Sequence, residues 1–267
     1  MSVETIEFGS DPSQVGDLYL PEVEPPPWPV VILLHGGFWR ADYGRDLMTQ
    51  IAEDLTVRCY AAWVVGFRRL GMKGGGWPGT LDDVAAGVDA LVGLAADRSL
   101  DLERTATVGH SAGGQLALWV AARRRLPPHA PGARPTMHPR AAISCSGVLD
   151  LARAAEQGVG SGAVVELLGG LPDDAPERYE LVSPAARVPI GVPTVVLHGE
   201  DDNIVPPSQS RTYAELAISA GDPVQLVELP GIGHFDFLDP ASMAWQSVVD
   251  RLPELLQAPG RAEGRFR

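Results

Sequence analysis

Gly109-His110-Ser111-Ala112-Gly113-Gly114 is the stretch on which the reading of this sequence turns. GHSAG fits the spacing G-x-S-x-G, in which a serine hydroxyl is raised on a sharp turn between a strand and a helix, exposed to substrate and clear of its neighbours. Gly109 and Gly113 are required because a side chain at either place would collide with the adjoining strand or helix. The pattern alone is weak: with 30 Gly in 267 residues, roughly 0.2 chance matches are expected in a chain of this length. Its flanks decide. ERTATV before it reads as a short apolar strand, and QLALWVAA after it as an amphipathic helix. A Gly-Ser turn in some other α/β protein is the bland alternative, and this context disfavours it.

Outward from that turn, strand-like and helix-like segments alternate, which predicts βαβ units and a mainly parallel sheet with helices on both faces. A short strand lies around residues 17–20, followed by the stiff Pro-rich connector EPPPWP. VVILLHGG is a buried strand running into a glycine turn, and residues 60–65 are a second apolar strand. GMKGGGWPG is a glycine-rich loop, and Thr80 is placed as the N-cap of a helix over TLDDVAAGVDALVGLA. Strands follow at Thr105–Val108, AAISCSGVL, PTVVLHG and VQLVELPG, with helices at QLALWVAARRRL and Ser208–Ala220 and a closing segment at 241–256. PPHAPGARPTMHP is a surface loop. Residues 150–189 break the alternation and are expected to form a short lid-like insertion. The whole reads as one domain over 1–257 with a frayed tail at 258–267.

Composition narrows the function classes. Hydrophobic residues make up 45%, the ordinary globular range. A formal net charge of −13 disfavours binding to nucleic acid or anionic lipid. Arg123, Arg124 and Arg125 are read as a helix end facing water. The N-terminus lacks a basic segment followed by an apolar one, and no apolar run approaches the roughly 18 residues of a membrane span, so a cytoplasmic location and no membrane partner are the expectation. Cys59 and Cys145 have no metal-ligand spacing and are expected to be free.

A nucleophilic serine needs a base in reach and an acid to orient the base. Of six histidines, His35 sits in the glycine turn, His110 adjoins Ser111, His129 and His138 lie in the Pro-rich loop, and His198 ends a strand. His234, in PGIGHFDF after the last strand, remains as the base. The acid is expected at a strand end between Ser and His. HGEDDNIVP offers Glu200, Asp201 and Asp202, with Asp150 as a rival after the preceding strand. Asp202 is preferred because it lies further along the loop that must reach His234, with Asp201 left open. Acyl transfer also needs donors for the oxygen that gains charge. The backbone N–H of Ala112 and those of Gly37 and Phe38 in HGGFW are the candidates.

HGGFW, GHSAGG, HGEDDNIVP and PGIGHF together resemble the blocks of the esterase/lipase and kynurenine formamidase-like branch of the α/β-hydrolase superfamily. GFRRLGMKGGGWPGTLDDVAAGVDAL is also similar to a segment of bacterial members, and the resemblance covers residues 17–256. It implies an α/β-hydrolase fold, Ser111 as nucleophile, His234 as base, Asp202 rather than Asp201 as acid, and an oxyanion loop at Gly36, Gly37 and Phe38. HGGFW departs from the HGGG of hormone-sensitive-lipase-like esterases, which leaves Phe38, Trp39 and Trp77 to shape a pocket too small for a large lipase-type acyl group. The expected reaction is hydrolysis of a small ester or amide with no metal or organic cofactor, by a monomer or homodimer. An arylformamidase acting on N-formylkynurenine is the alternative that the aromatic after HGG suggests. Exopeptidase activity ranks lower, because no gating domain precedes the catalytic one. A non-catalytic ligand-binding homologue is the alternative of another class, since fold alone does not establish function.

Overall fold

The computed structural model describes residues 1–22 and 26–257. Residues 23–25, which include the first two of the EPPPWP connector, and the tail at 258–267 lie outside the described residues. The apolar runs form the middle of one eight-stranded sheet. Its strands are β1 Ser2–Glu7, β2 Val15–Leu20, β3 Trp28–Leu34, β4 Ala61–Val65, β5 Leu100–His110, β6 Ala141–Cys145, β7 Thr194–Gly199 and β8 Val224–Leu229. The spatial order is β1-β2-β4-β3-β5-β6-β7-β8. From β4 to β8 all neighbours run parallel, while β1 and β2 form an antiparallel edge. Every residue of β4, β6 and β7 is buried, as expected for parallel strands covered on both faces.

Alternate residues of each strand feed opposite layers. Val30, Ile32 and Leu34 pack with helices α2 (Gly79–Asp89), α3 (Leu91–Leu94) and α4 (Ala112–Ala122), whereas Val31 and Leu33 pack with α1 (Thr49–Val57), α9 (Met243–Val249) and α10 (Leu252–Leu255). Helix α8 (Ser208–Ser219) joins the first face through Tyr213 and Ala217 against Val196 and Leu118. Between β6 and β7 lies the expected insertion, built of α5 (Leu151–Glu156), α6 (Ala163–Leu168) and α7 (Pro176–Val182). It is tied to the body. Gln115 Nε2 donates to the Val182 carbonyl at 3.0 Å, Trp119 Nε1 to that of Leu181 at 3.2 Å, and the Trp77 amide to that of Leu167 at 2.8 Å.

Several local expectations need correction. Helix α4 is not amphipathic: all eleven of its residues are buried, because the sheet lies on one side and the insertion and α2 on the others. Thr80 lies inside α2 instead of capping it, accepting the Gly76 amide at 2.9 Å and donating to the Arg68 carbonyl at 2.6 Å. Arg123 does not face water. It is 1% exposed, and its guanidinium meets the Asp89 carboxylate and the Gly132 carbonyl, each at 2.7 Å. Two elements, β1 and α1, had no counterpart in the sequence reading.

Candidate active site

Ser111 sits between β5 and α4 with φ 57° and ψ −121°. A non-glycine residue in that region stores strain, which the surroundings must hold in place. They do so by crowding. A Cβ on Gly109 would overlap the Gly113 carbonyl, and one on Gly113 would overlap the carbonyl of Leu34 at the end of β3. Neither position has room for a side chain, so β5, the turn and α4 close on one another. The Ser111 amide is fixed to the Cys145 carbonyl of β6 at 2.8 Å. Ser111 as a whole residue is only 2% exposed.

The HGG turn lies directly against it. A Cβ on Gly36 would stand 3.0 Å from Ser111 Cβ and 2.9 Å from the His110 carbonyl. Gly37, Phe38 and Trp39 follow with φ of 101°, 50° and 56°, a run of left-handed residues that reverses the chain. Ala112 is the first residue of α4, where backbone N–H groups have no partner one turn back and the helix dipole favours negative charge. Trp39 has none of its surface exposed. Its indole N–H donates to Gln115 Oε1 at 3.2 Å, so it anchors the turn from within the core and offers no wall to a ligand. Trp77 keeps part of its surface and stacks under the Arg178 guanidinium, 5.5 Å from the ring centre, against the insertion. Phe38 is half-buried, and Gly160 of the insertion packs on its ring.

The remaining residues arrive from β7 and the loop after β8. His234 Nδ1–H donates to Asp202 Oδ2 at 2.7 Å. A carboxylate oxygen only accepts, so Nδ1 carries the proton and Nε2 keeps a free lone pair. The other carboxylate oxygen, Oδ1, accepts the amides of Ile204 and Val205, both at 2.9 Å. Burial opposes the charge on Asp202, but hydrogen bonds from His198, His234 and Val205 outweigh it and hold the carboxyl well below the usual range. Asp201 is exposed, and Asp150 caps α5 through the Arg153 amide at 3.1 Å. Of these candidates, Asp202 is the one whose carboxylate meets the His234 ring.

His110 links the two halves. Its Nε2–H donates to the His234 carbonyl at 2.8 Å, and the two rings lie 4.6 Å apart. Burial, with His234 beside it, lowers the His110 pKa to about 3. His35, stacked on Phe67 at 4.4 Å, is lowered to about 4, also by burial. Both rings are neutral at neutral pH. His198, set aside in the sequence reading as a strand end, is wholly buried beside Asp202. Its place four residues before the acid, with its side chain on the α8 face of β7, is the signal that was available.

A cavity of about 800 Å³ lies away from these residues, before the starts of β6 and β7, lined among others by Arg124, Arg125, His138 and Arg140. None of the residues converging on Ser111 lines it. No helix among the described residues is long and apolar enough to cross a membrane.

The chain is similar to known proteins in sequence and in fold. The chain is 24% identical over 250 residues to the "Probable isoprenylcysteine alpha-carbonyl methylesterase ICMEL1" of Arabidopsis thaliana, covering 87% of this chain and 50% of that protein. It is 26% identical over 230 residues to the "Probable carboxylic ester hydrolase LipM" of Mycobacterium tuberculosis, covering 83% and 52%. It thus spans about half the length of the curated relatives it matches. Among solved structures, a truncated carbohydrate esterase from gut microbiota superposes with a TM-score of 0.83 at 21% identity, covering 96% of each chain. Esterase B from Lactobacillus Rhamnosis (HN001) gives a TM-score of 0.81 at 21% identity, covering 95% of this chain and 84% of that one. These likenesses are of fold. The strand order and the neighbours make the fold that of an α/β-hydrolase, as expected. The BD-FAE family model matches residues 16–216, most of the chain, from within β2 into α8, and the chain belongs to the BD-FAE family.

Proposed function

We propose that this protein is a serine hydrolase that cleaves small carboxylic esters through an acyl-enzyme. The observation that carries this reading is the convergence of three segments: the strained Ser111 turn, the Gly36–Phe38 turn packed on it, and the buried Asp202–His234 pair, tied to the first by His110. The names of the relatives, a methylesterase and a carboxylic ester hydrolase, favour an ester over a formamide.

His234 Nε2 takes the proton of the Ser111 hydroxyl as Oγ attacks the ester carbonyl. The carbonyl oxygen becomes an oxyanion, held by the N–H of Ala112 at the start of α4 and those of Gly37 and Phe38. Asp202 keeps the imidazole in the Nδ1–H tautomer and stabilises the imidazolium that forms. Collapse of the adduct breaks the C–O bond to the alcohol, which leaves with the proton from His234. Water then attacks the acyl-enzyme, giving its proton to His234, and Ser111 is released with the carboxylic acid. The near-complete cover over Ser111 and the Phe38–Gly160 contact favour a short acyl group.

Turnover of p-nitrophenyl acetate and butyrate by the protein and its Ser111→Ala variant tests this. The variant is expected to lose about 10⁴-fold or more in kcat, and undiminished turnover contradicts the assignment. N-formylkynurenine in the same assay is expected to show a far lower kcat/KM than the short esters.

A further inference from the structure

We infer that His198 is a positioning residue for the acid: its imidazole holds the Asp202 carboxylate and sets how strongly that carboxylate pulls on His234. The inference rests on the serine-hydrolase reading above and goes beyond it.

The ring is wholly buried at the end of β7, and its two nitrogens face opposite chemistry. Nε2 lies 2.9 Å from the Val205 carbonyl and 3.3 Å from Asp202 Oδ2. Both are acceptors, so Nε2 carries a proton: it donates to the Val205 carbonyl, with Asp202 Oδ2 lying alongside the same N–H. Nδ1 lies 2.6 Å from Ser210 Oγ, at the start of α8. With Nε2 protonated in the neutral ring, Nδ1 accepts from that hydroxyl, and Ser210 fixes the tautomer. The Asp202 carboxylate is then surrounded: Oδ1 takes the Ile204 and Val205 amides, Oδ2 takes His234, and the His198 N–H lies 3.3 Å from Oδ2.

Two effects follow. The carboxylate is locked in one rotamer without calling on His234 to hold it. In addition, the two imidazoles compete for the charge of Oδ2. Removing the His198 donor leaves more of that charge for His234 and removes a positive dipole near both groups, so His234 becomes a stronger base. The other titratable groups around His234 are neutral His110 from the end of β5, Asp236 on its own loop, and exposed Glu200 and Asp201 after β7. None of these places a donor on Oδ2.

The test uses His198→Phe, which keeps bulk without a donor, and His198→Gln, whose amide can donate to the same acceptors. His198→Phe is expected to lower kcat on p-nitrophenyl acetate about tenfold, with KM within about twofold, and to raise the acid limb of the kcat/KM profile by about half a pH unit. His198→Gln is expected to return the limb to within about 0.2 units of wild type. If His198→Phe does not fold, His198→Asn, whose shorter amide cannot reach both acceptors, carries the same expectation. An unmoved limb in a folded variant that lacks the donor, or an equal shift in His198→Gln, overturns the inference. Absence of Ser111-dependent turnover in the wild-type protein overturns the underlying function instead, so the two failures are distinct.

Discussion

The Ser111 turn and the Asp202 turn meet at the same end of the sheet and are held there by different means. The first is fixed by backbone crowding. Gly109, Gly113 and Gly36 let three segments approach until no side chain fits between them, and the strained backbone of Ser111 has nowhere to relax. The second is fixed by hydrogen bonding to one buried charge, with two amides and the His234 imidazole on the Asp202 carboxylate and the His198 N–H beside it. Crowding restrains a position through what cannot be there. Hydrogen bonding restrains it through what must be there, and leaves it sensitive to loss of a single donor.

Breaking the hydrogen-bonded side should cost the most activity. Asp202→Asn presents an amide to His234, removes the charge that stabilises the imidazolium, and allows the wrong tautomer. A fall in kcat of about 10³ to 10⁴-fold is expected in steady-state assays, with the fold retained by circular dichroism. Breaking the crowded side should instead appear as lost stability. Gly113→Ala drives a methyl into the Leu34 carbonyl and is expected to cost about 3 kcal/mol in urea denaturation.

The buried histidines of the crowded side give a smaller effect that depends on pH. His35 and His110 have folded pKa values of about 4 and about 3, against 6.5 for the free side chain. The unfolded chain therefore takes up protons first as pH falls through 6.5. The stability from keeping these rings neutral is present above that value and is lost toward pH 4. Between pH 7 and pH 5 each should cost about 2 kcal/mol, read from urea midpoints, and His35→Gln should remove about half of the combined loss. Asp202 does not contribute in this window, because its carboxyl is ionised in both states. The smallest effect is expected from Asp201→Asn, an exposed neighbour of the acid, within about 0.5 kcal/mol in stability and about twofold in kcat.

The contrast between the two turns also explains what the sequence discloses. Crowding leaves glycines at fixed offsets, so the Ser111 turn, the HGG turn and the strands that end in them were legible from their spacing. Hydrogen bonding leaves no such mark. Among Glu200, Asp201 and Asp202, loop position and the resemblance favour Asp202, but its burial against His234 becomes visible only in the fold. His198 was passed over because a buried histidine at a strand end looks like any core residue until its two nitrogens find partners. Arg123 was misjudged for a related reason: its counter-charge, Asp89, is supplied by a different helix. Trp39 was assigned to a pocket from proximity in the chain, whereas a left-handed turn directs it into the core. Edge strand β1 was missed because it lies at the rim, where its alternation is polar and weak.

Covalent labelling by a fluorophosphonate, followed by intact-mass and peptide mass spectrometry, tests the role of Ser111 directly. One adduct per chain is expected, on the peptide containing Ser111, absent in Ser111→Ala and formed more slowly in Asp202→Asn. An unlabelled wild-type chain, as expected of a non-catalytic member of the fold, or labelling that persists in Ser111→Ala, would contradict that role.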